Sequence, residues 1–347
     1  MKRLIVLLPL LFCLVSCTEV YRYTSTSFFA MNTVAEAIRN EQIKDDCTER
    51  VVLGIENKMS RTMENSEISR INNGEDVVLS DETLYVLEKS LEIAENTDYA
   101  FNPCMGTLTD IWDITSGRNY VPTDDEISQA LVFCDASLVK IEDGKVIKPE
   151  GLKIDLGGVA KGYALERACE SMQESAMGSA ASADFCISLG GNVGVSGASK
   201  LSKQNGKTGW NVGIANPFSG ENTIGSLVMT DGCIAVSGAY ERFFEKDGVI
   251  YHHIFDPKTG YPAESDIVCS AVICDDGLVG DALSTALFVM GRERAIEFYK
   301  RGVYDFEMIL VTKDSKVLVT NKTADDFTLN TKARDDDNRR FVLEIIE

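Results

Sequence analysis

The sequence predicts an α+β protein built mainly from antiparallel strands, and three observations carry that expectation. Short runs with strand patterning outnumber helical ones, turn signals join several of them as hairpins, and helices do not alternate with strands as a doubly wound parallel sheet requires. No Gly-x-Gly-x-x-Gly follows a strand pattern, so the usual dinucleotide-binding fingerprint is absent. The chain carries no internal repeat, low-complexity block or long linker.

In chain order, Leu84, Leu87, Leu91 and Ala94 recur at helical spacing after Ser80-Asp81 and predict an amphipathic helix. Thr123 and Glu126 have the spacing of a capping box and start a second helix. Val139 and Ile141 face Val146 across Asp143-Gly144, a dipeptide suited to a two-residue hairpin turn. Strands are expected at Lys153–Leu156, Phe185–Leu189, Trp210–Ile214, Ile224–Met229, Val249–Phe255 and Ile267–Cys274. Further helices are expected at Val159–Ser175, Leu278–Met290 and Glu293–Arg301.

The N-terminus reads as an export signal. Met1-Lys2-Arg3 precedes the apolar run Leu4–Val15, which is too short to cross a bilayer. The run ends in Leu14-Val15-Ser16-Cys17, which resembles the bacterial lipobox, whose cysteine is acylated; an ordinary cleaved signal with an incidental cysteine is the plainer alternative. The reading is a lipoprotein signal over residues 1–17 ending at acylated Cys17, followed by a working domain over 18–347. It places the protein in the cell envelope, lipid-anchored to a bacterial membrane on its non-cytoplasmic side.

The chain has 347 residues, of which 44% are apolar, enough to fill a sizeable core. Its net charge of −20 comes from carboxylates spread along the whole length. That balance argues against nucleic acid or an anionic membrane surface as the main partner. A phosphate-bearing ligand would need a metal ion or a local basic group. Two of the ten cysteines, Cys13 and Cys17, belong to the export signal, and the others form no Cys-x-x-Cys pair that would support a zinc site. Most of those sit in apolar contexts and read as core; Cys269 and Cys274, in one strand at odd separation, point to opposite faces.

Three segments carry candidate chemistry. In Leu278–Met290 apolar residues surround the helix, so it should be buried, and its polar side chains Asp281, Ser284 and Thr285 stack as one stripe. A buried carboxylate with hydroxyl neighbours is oxygen-only chemistry that suits a hard cation such as Mg²⁺. Taken alone, an Asp near a helix start with its hydroxyls bonded to backbone is the plainer account. Second, Lys153–Ala164 runs from an expected strand through Gly157-Gly158 into a helix, where backbone can approach a ligand and the helix start favours anions. Lys161 in that first turn opposes the dipole, which something negative nearby would explain, unless the lysine simply points to solvent. Third, Ser237–Phe244 and His252–Pro262 hold the only two histidines, His252 and His253; adjacent strand residues face opposite ways, so one at most enters a given site. A neutral imidazole there suits a base that deprotonates a hydroxyl, although a structural histidine is the commoner fate.

Taken together, these segments resemble the ApbE-type FAD:protein FMN transferase family over nearly the whole mature chain. The matching residues, in order, are Phe29–Thr33, Met59-Ser60 with Ser66–Asn72, and Phe101–Pro103 with Met105–Leu108 and Trp112. Asp155–Gly158 with Lys161–Ala164, Gly190–Asn192, Ser237-Gly238 with Tyr240-Glu241, His253–Pro262, and Asp281-Ala282 with Thr285-Ala286 complete the series. The resemblance implies a T-fold-related α+β architecture and Mg²⁺-dependent transfer of FMN from FAD to a Thr or Ser hydroxyl of exported or membrane redox proteins, releasing AMP. It implies Asp281 and Thr285 as Mg²⁺ ligands, joined by the main-chain oxygen of Ala164, with His253 activating the acceptor hydroxyl. Met31, Met105, Gly106, Thr107, Lys161 and Ile254 fall where the family contacts FAD, and Asp155, Glu166 and Arg167 are further flavin neighbours. Two positions depart from the pattern: Asn32 replaces the usual glycine, and Thr62 stands where many members carry an aromatic residue that packs on the cofactor. The rival expectations are a Mg²⁺-dependent FAD diphosphatase that uses water, and a flavin-binding lipoprotein without chemistry.

Overall fold

The computed structural model describes residues 22–44, 46–177, 183–199, 203–204, 206–219 and 222–347; Cys17 and the export segment lie outside them. The expected α+β class is what the structure shows, and its centre is one nine-stranded sheet whose spatial order is its chain order. The strands are β1 (Tyr23–Ala30), β2 (Thr33–Asn40), β3 (Phe185–Leu189), β4 (Asn192–Ser196), β5 (Asp231–Gly238), β6 (Ile267–Cys274), β7 (Glu307–Thr312), β8 (Lys316–Thr320) and β9 (Val342–Ile346). Every neighbouring pair is antiparallel except β8 and β9.

Since each strand pairs with the next, all else is an insertion between neighbours. Between β2 and β3 lie α1 (Thr48–Met59), α2 (Glu67–Asn72), α3 (Asp81–Asn96), α4 (Gly106–Trp112), α5 (Asp124–Leu131) and α6 (Ala160–Met177). A three-stranded sheet of Trp210–Ala215, Thr223–Met229 and Phe327–Leu329 draws its first two strands from the β4–β5 connection. The β5–β6 connection holds a separate hairpin, Phe243–Lys246 with Val249–His252, and the β6–β7 connection is α7 (Gly277–Arg301).

The sheet buries both faces. One packs on the helices through Leu165, Leu278, Leu283 and Leu287, and the other on the small sheet through Trp210, Ile214 and Leu227. Cys269 joins the second cluster while Cys274 packs against the first, as their odd separation requires. A third cluster gathers around fully buried Trp112, whose Nε1–H donates to the Gly260 carbonyl at 2.8 Å.

The capping box at Thr123 and the helix behind Ser80 form as expected. The two helices expected at Leu278–Met290 and Glu293–Arg301 are the halves of α7, broken at Gly291 (φ 75°, ψ 170°). Lys153–Leu156 is not a strand. Its bonds go to the end of α2 and to a loop: Asn72 brackets Ile154, donating to its carbonyl (2.7 Å) and accepting from its N–H (2.8 Å), while Asp155 N–H donates to the Pro103 carbonyl. The strand expected over Val249–Phe255 ends at His252, where the chain turns into a cavity.

Candidate active site

That cavity, of about 340 Å³, opens where the β1–β2 turn, the end of α1, the loops before α4 and α6, the end of β5, the segment after the Phe243–His252 hairpin and α7 converge. Its floor is the crossing of α6 and α7. Gly162 and Gly277 meet there so closely that a Cβ on Gly162 would lie 2.0 Å from the Gly277 carbonyl oxygen. The first-turn N–H groups of a helix lack intrahelical partners, and each helix caps the other. Gly162 N–H donates to Asp281 Oδ2 at 2.9 Å, and Gly277 N–H donates to Glu166 Oε2 at 2.8 Å. Glu166 is thereby turned to the start of α7; burial, then nearby Asp276, push its carboxyl up to about 7.

With Oδ2 committed to α6, Asp281 keeps Oδ1 for the cavity, where Lys161 Nζ stands 3.6 Å away. The same ammonium lies 3.5 Å from the Gly157 carbonyl oxygen, so a carboxylate and a main-chain oxygen already gather around a cation. The hydroxyls beside Asp281 form a relay. Ser284 donates to the Asp281 carbonyl (2.8 Å), which leaves Ser237 to donate to Ser284 (2.7 Å) and Thr285 to donate to Ser237 (3.2 Å). Thr285 thus keeps its lone pairs for the cavity it lines, whereas Ser284 is fully buried outside the lining.

His253 also lines the cavity. Its Nδ1 is 3.2 Å from the Arg242 carbonyl, which can only accept, so Nδ1 carries the proton and Nε2 keeps a lone pair. Burial, then the Arg242 guanidinium, push this imidazole down to about 3. His252 faces away, edge-on to Phe288 at 5.6 Å, with Ile254 N–H donating to its Nδ1 at 3.3 Å. Only one of the two adjacent histidines enters the site, as strand alternation demands.

Met31 and Asn32 form the two-residue turn between β1 and β2, both with positive φ (50° and 58°), and both line the cavity. Asn is among the residues that best tolerate this backbone, so the departure at Asn32 keeps the turn while adding an amide to the wall. Glu56 Oε1 accepts the Met31 N–H at 2.8 Å and fixes the turn over α1. Met105, Asp155 and Ile254 also line the cavity, and Thr62 stands exposed at its rim. Asp155 accepts from Gly157 N–H (2.9 Å) and from Arg61 Nε (3.0 Å), and Arg61 reaches on to Asp110 at 2.8 Å.

Four other expected site residues stand apart. Gly106 is a packing position, its N–H donating to the Lys153 carbonyl (3.1 Å) where a Cβ would come within 2.8 Å of Lys153 Cβ. Thr107 donates its hydroxyl to Gly151 (2.7 Å). Ala164 lies fully buried inside α6, one turn from the Gly162 N–H that Asp281 accepts. Arg167, six residues past Lys161, falls on another face of α6 and lines a separate cleft with Arg50, Lys58 and Glu170. Conversely, Arg61, Arg242 and Glu56 line the cavity without having been singled out. Arg242 lies inside the quoted Ser237–Phe244 segment and Arg61 directly follows Met59-Ser60, and basic residues there in a strongly acidic chain were the available signal.

The lining holds five carboxylates, Glu56, Asp113, Asp155, Glu241 and Asp281, against three cations, Arg61, Lys161 and Arg242. A polyanion enters such a site only with extra positive charge. The carboxylate of Asp281 and the hydroxyl of Thr285, both on the lining, are oxygen donors of the kind a hard divalent ion takes, and among the described residues no group of His, Cys, Asp and Glu forms a rival metal cluster.

Comparison with known proteins identifies the family. The model of the ApbE family matches residues 23–310. The FAD:protein FMN transferase of Treponema pallidum is 34% identical over 252 residues, covering 68% of this chain and 68% of that protein. That of Vibrio cholerae serotype O1 is 27% identical over 329 residues, covering 90% and 95%. The crystal structure of the apbe protein from Thermotoga maritima superposes with a TM-score of 0.77 at 31% identity, over 88% of this chain and 99% of that one. The flavin transferase ApbE from Vibrio cholerae gives 0.73 at 25% identity, over 85% and 94%. With the family model matched from β1 into β7, and so over the helical floor and every residue lining the cavity, this chain belongs to the ApbE family.

Proposed function

We propose that this enzyme is an FAD:protein FMN transferase that binds FAD in the cavity and joins its FMN half to a threonine or serine hydroxyl of an acceptor protein. The hydroxyl oxygen attacks the FMN-side phosphorus, the anhydride bond breaks, and AMP leaves with the electron pair. The observation that carries this reading is the placement of an unprotonated His253 Nε2 in one cavity with Asp281, Thr285 and Lys161. Asp281 and Thr285, joined by the main-chain oxygen of Ala164, would hold Mg²⁺, which supplies charge neutralisation for a diphosphate. Lys161 and Arg242 add positive charge from the protein, and His253 takes the acceptor proton. An anionic diphosphate in the same cavity opposes the downward shift of the imidazole and strengthens it as a base. Met31, Met105 and Ile254 offer apolar surface for the isoalloxazine. Acylation at Cys17 would hold the enzyme at the membrane surface, beside exported acceptors.

A second reaction has a specific observation behind it. The short, exposed Thr62 leaves one wall of the mouth uncovered, so water competes with the acceptor and FAD is partly hydrolysed to FMN and AMP. The test incubates mature protein with FAD, MgCl₂ and a threonine-bearing acceptor peptide. The expected products are AMP and a peptide heavier by one FMN, both lost in Asp281→Ala. An unmodified peptide beside intact FAD would refute the assignment.

A further inference from the structure

Beside the first turn of α7, and outside the cavity, the sheet carries two thiols that the proposed function does not use. Cys233, near the start of β5, and Cys274, at the end of β6, are directly opposed in the antiparallel ladder. Opposed residues share one face of a sheet, and both side chains join the core cluster on the helix side. Among the described residues no other two cysteines are paired in register. Cα atoms of opposed residues stand about 4.5–5.5 Å apart, inside the roughly 4.4–6.8 Å that a disulfide spans.

The local bonds already bring the thiols together. Cys233 donates to the Cys274 carbonyl at 3.1 Å, and the Cys274 thiol beside it, then burial, push the Cys233 thiol upward. Cys274 donates to the Asp276 carbonyl at 3.0 Å and lies against Gly280, where a Cβ would come within 2.9 Å of its sulfur. That thiol bond is dispensable, because the Asp276 carbonyl also accepts the Gly280 N–H at 2.9 Å. The start of α7 therefore stays capped when the thiol is consumed. A single buried cysteine is an ordinary small core residue. This pair differs in its register and in its accessibility: Cys233 is buried, whereas Cys274 is part-exposed beside exposed Asp275, so an oxidant can reach one sulfur while the fold delivers the other.

We infer that Cys233 and Cys274 are a modification site, a dithiol that closes to a cross-strand disulfide on meeting a disulfide-bearing oxidant, whether a small molecule or an oxidised protein dithiol. The Cys274 thiolate attacks one donor sulfur, the donor S–S bond breaks, and a donor thiolate leaves. Cys233 then gives up its proton and attacks Cys274 Sγ, and the second donor thiolate leaves. Both cysteines are oxidised, the donor disulfide is reduced to its thiols, and the protons released by the cysteines end on them. The new bond ties β5 to β6 directly beside the helix turn that presents Asp281. The inference stands whether or not the transferase reading holds. Export, which the N-terminal segment implies, would carry the pair into oxidising surroundings.

The test treats the mature protein with oxidised glutathione, blocks the remaining thiols with iodoacetamide in denaturant, and maps the cysteines by mass spectrometry of an unreduced digest. The expected product is a peptide pair joined through Cys233 and Cys274, with a thermal midpoint raised by about 5 °C that dithiothreitol reverses. Cys274→Ser, at the part-exposed position, should melt like reduced wild type and show no response to the oxidant. Cys233→Ala should stop at a glutathione adduct on Cys274. Free thiols throughout in wild type would overturn the site, as would a glutathione adduct on Cys274 as its end product. A bond from Cys233 to Cys169, the α6 thiol packed on Gly194 across from Cys233, would overturn it too. A mapped Cys233–Cys274 bond without the rise in midpoint would overturn its role as a tie beside α7.

Discussion

The floor and the rim of the cavity are built on opposite terms. At the floor, α6 and α7 touch backbone to backbone at Gly162 and Gly277, and each helix start is capped by a carboxylate of the other. At the rim, Thr62, the Met31-Asn32 turn and the Phe243–His252 hairpin are held from one side and face solvent on the other. The contrast follows from the chemistry each serves. Under the proposed function, oxygens that converge on a cation and a diphosphate need a scaffold without slack, whereas side chains that face solvent can vary. Substitutions at the floor should therefore break the enzyme, and those at the rim should redirect it.

The sharpest test of that contrast is Gly162→Ala. With the Gly277 carbonyl only 2.0 Å from the new Cβ, the helices must separate and Asp281 loses its N–H partner. We expect a loss of at least about 4 kcal/mol of stability, read as a lower thermal midpoint, together with loss of turnover. A variant that melts like wild type and keeps its activity would show that the crossing has slack. His253→Ala probes another part of the cavity, where a general base contributes roughly 10²–10⁴-fold to rate. Transfer to a peptide should fall by that order while FAD affinity holds. Equal loss of both would make His253 a flavin contact only.

The neighbouring histidine gives a smaller, pH-dependent effect. Burial pushes His252 down to about 4 from its ordinary 6.5. Its folded form binds fewer protons than the unfolded chain between those values, so the associated stability is complete above pH 6.5 and is lost as pH falls toward 4. The shift corresponds to about 3 kcal/mol. Urea unfolding of wild type and His252→Gln across that window should show a shallower pH slope in the variant. Parallel slopes would mean that His252 ionises freely in the folded protein.

What was legible in the sequence follows the same division. Phe185–Leu189 and Ile267–Cys274 alternate within one buried strand each, and the structure returns both with those bounds. The stripe Asp281, Ser284, Thr285 located the floor, but spacing alone could not show that Ser284 would turn its proton to the Asp281 carbonyl while Thr285 faces the cavity. β1 was invisible to periodicity because Tyr23–Ala30 is an edge strand rich in Ser and Thr and largely exposed, with little apolar alternation to detect, and β2 buries only small alanines on its inner face. Lys153–Leu156 deceived for the reverse reason: its local pattern is extended, yet Asn72 replaces the neighbouring strand, a long-range contact that no local window contains. Arg61 shows the limit for a site, since its bonds to Asp155 and Asp110 join residues distant in sequence.

The mildest test concerns the rim alone. Thr62 keeps its short side chain near Ser60, its hydroxyl 3.2 Å from Ser60 Oγ, at the exposed edge of the mouth. Thr62→Tyr would lay an aromatic ring over the open wall, burying apolar flavin surface and excluding water from the phosphorus. Since it adds a contact at an exposed position, stability should change by no more than about 0.5 kcal/mol. The ratio of peptide-bound to free FMN should rise, by roughly 2- to 10-fold, because stacking of one ring contributes only about 0.5–1.5 kcal/mol. Chromatographic measurement of that ratio separates the two walls: an unchanged ratio would place control of water at the floor, and a rise without change in Mg²⁺ dependence would place it at the rim.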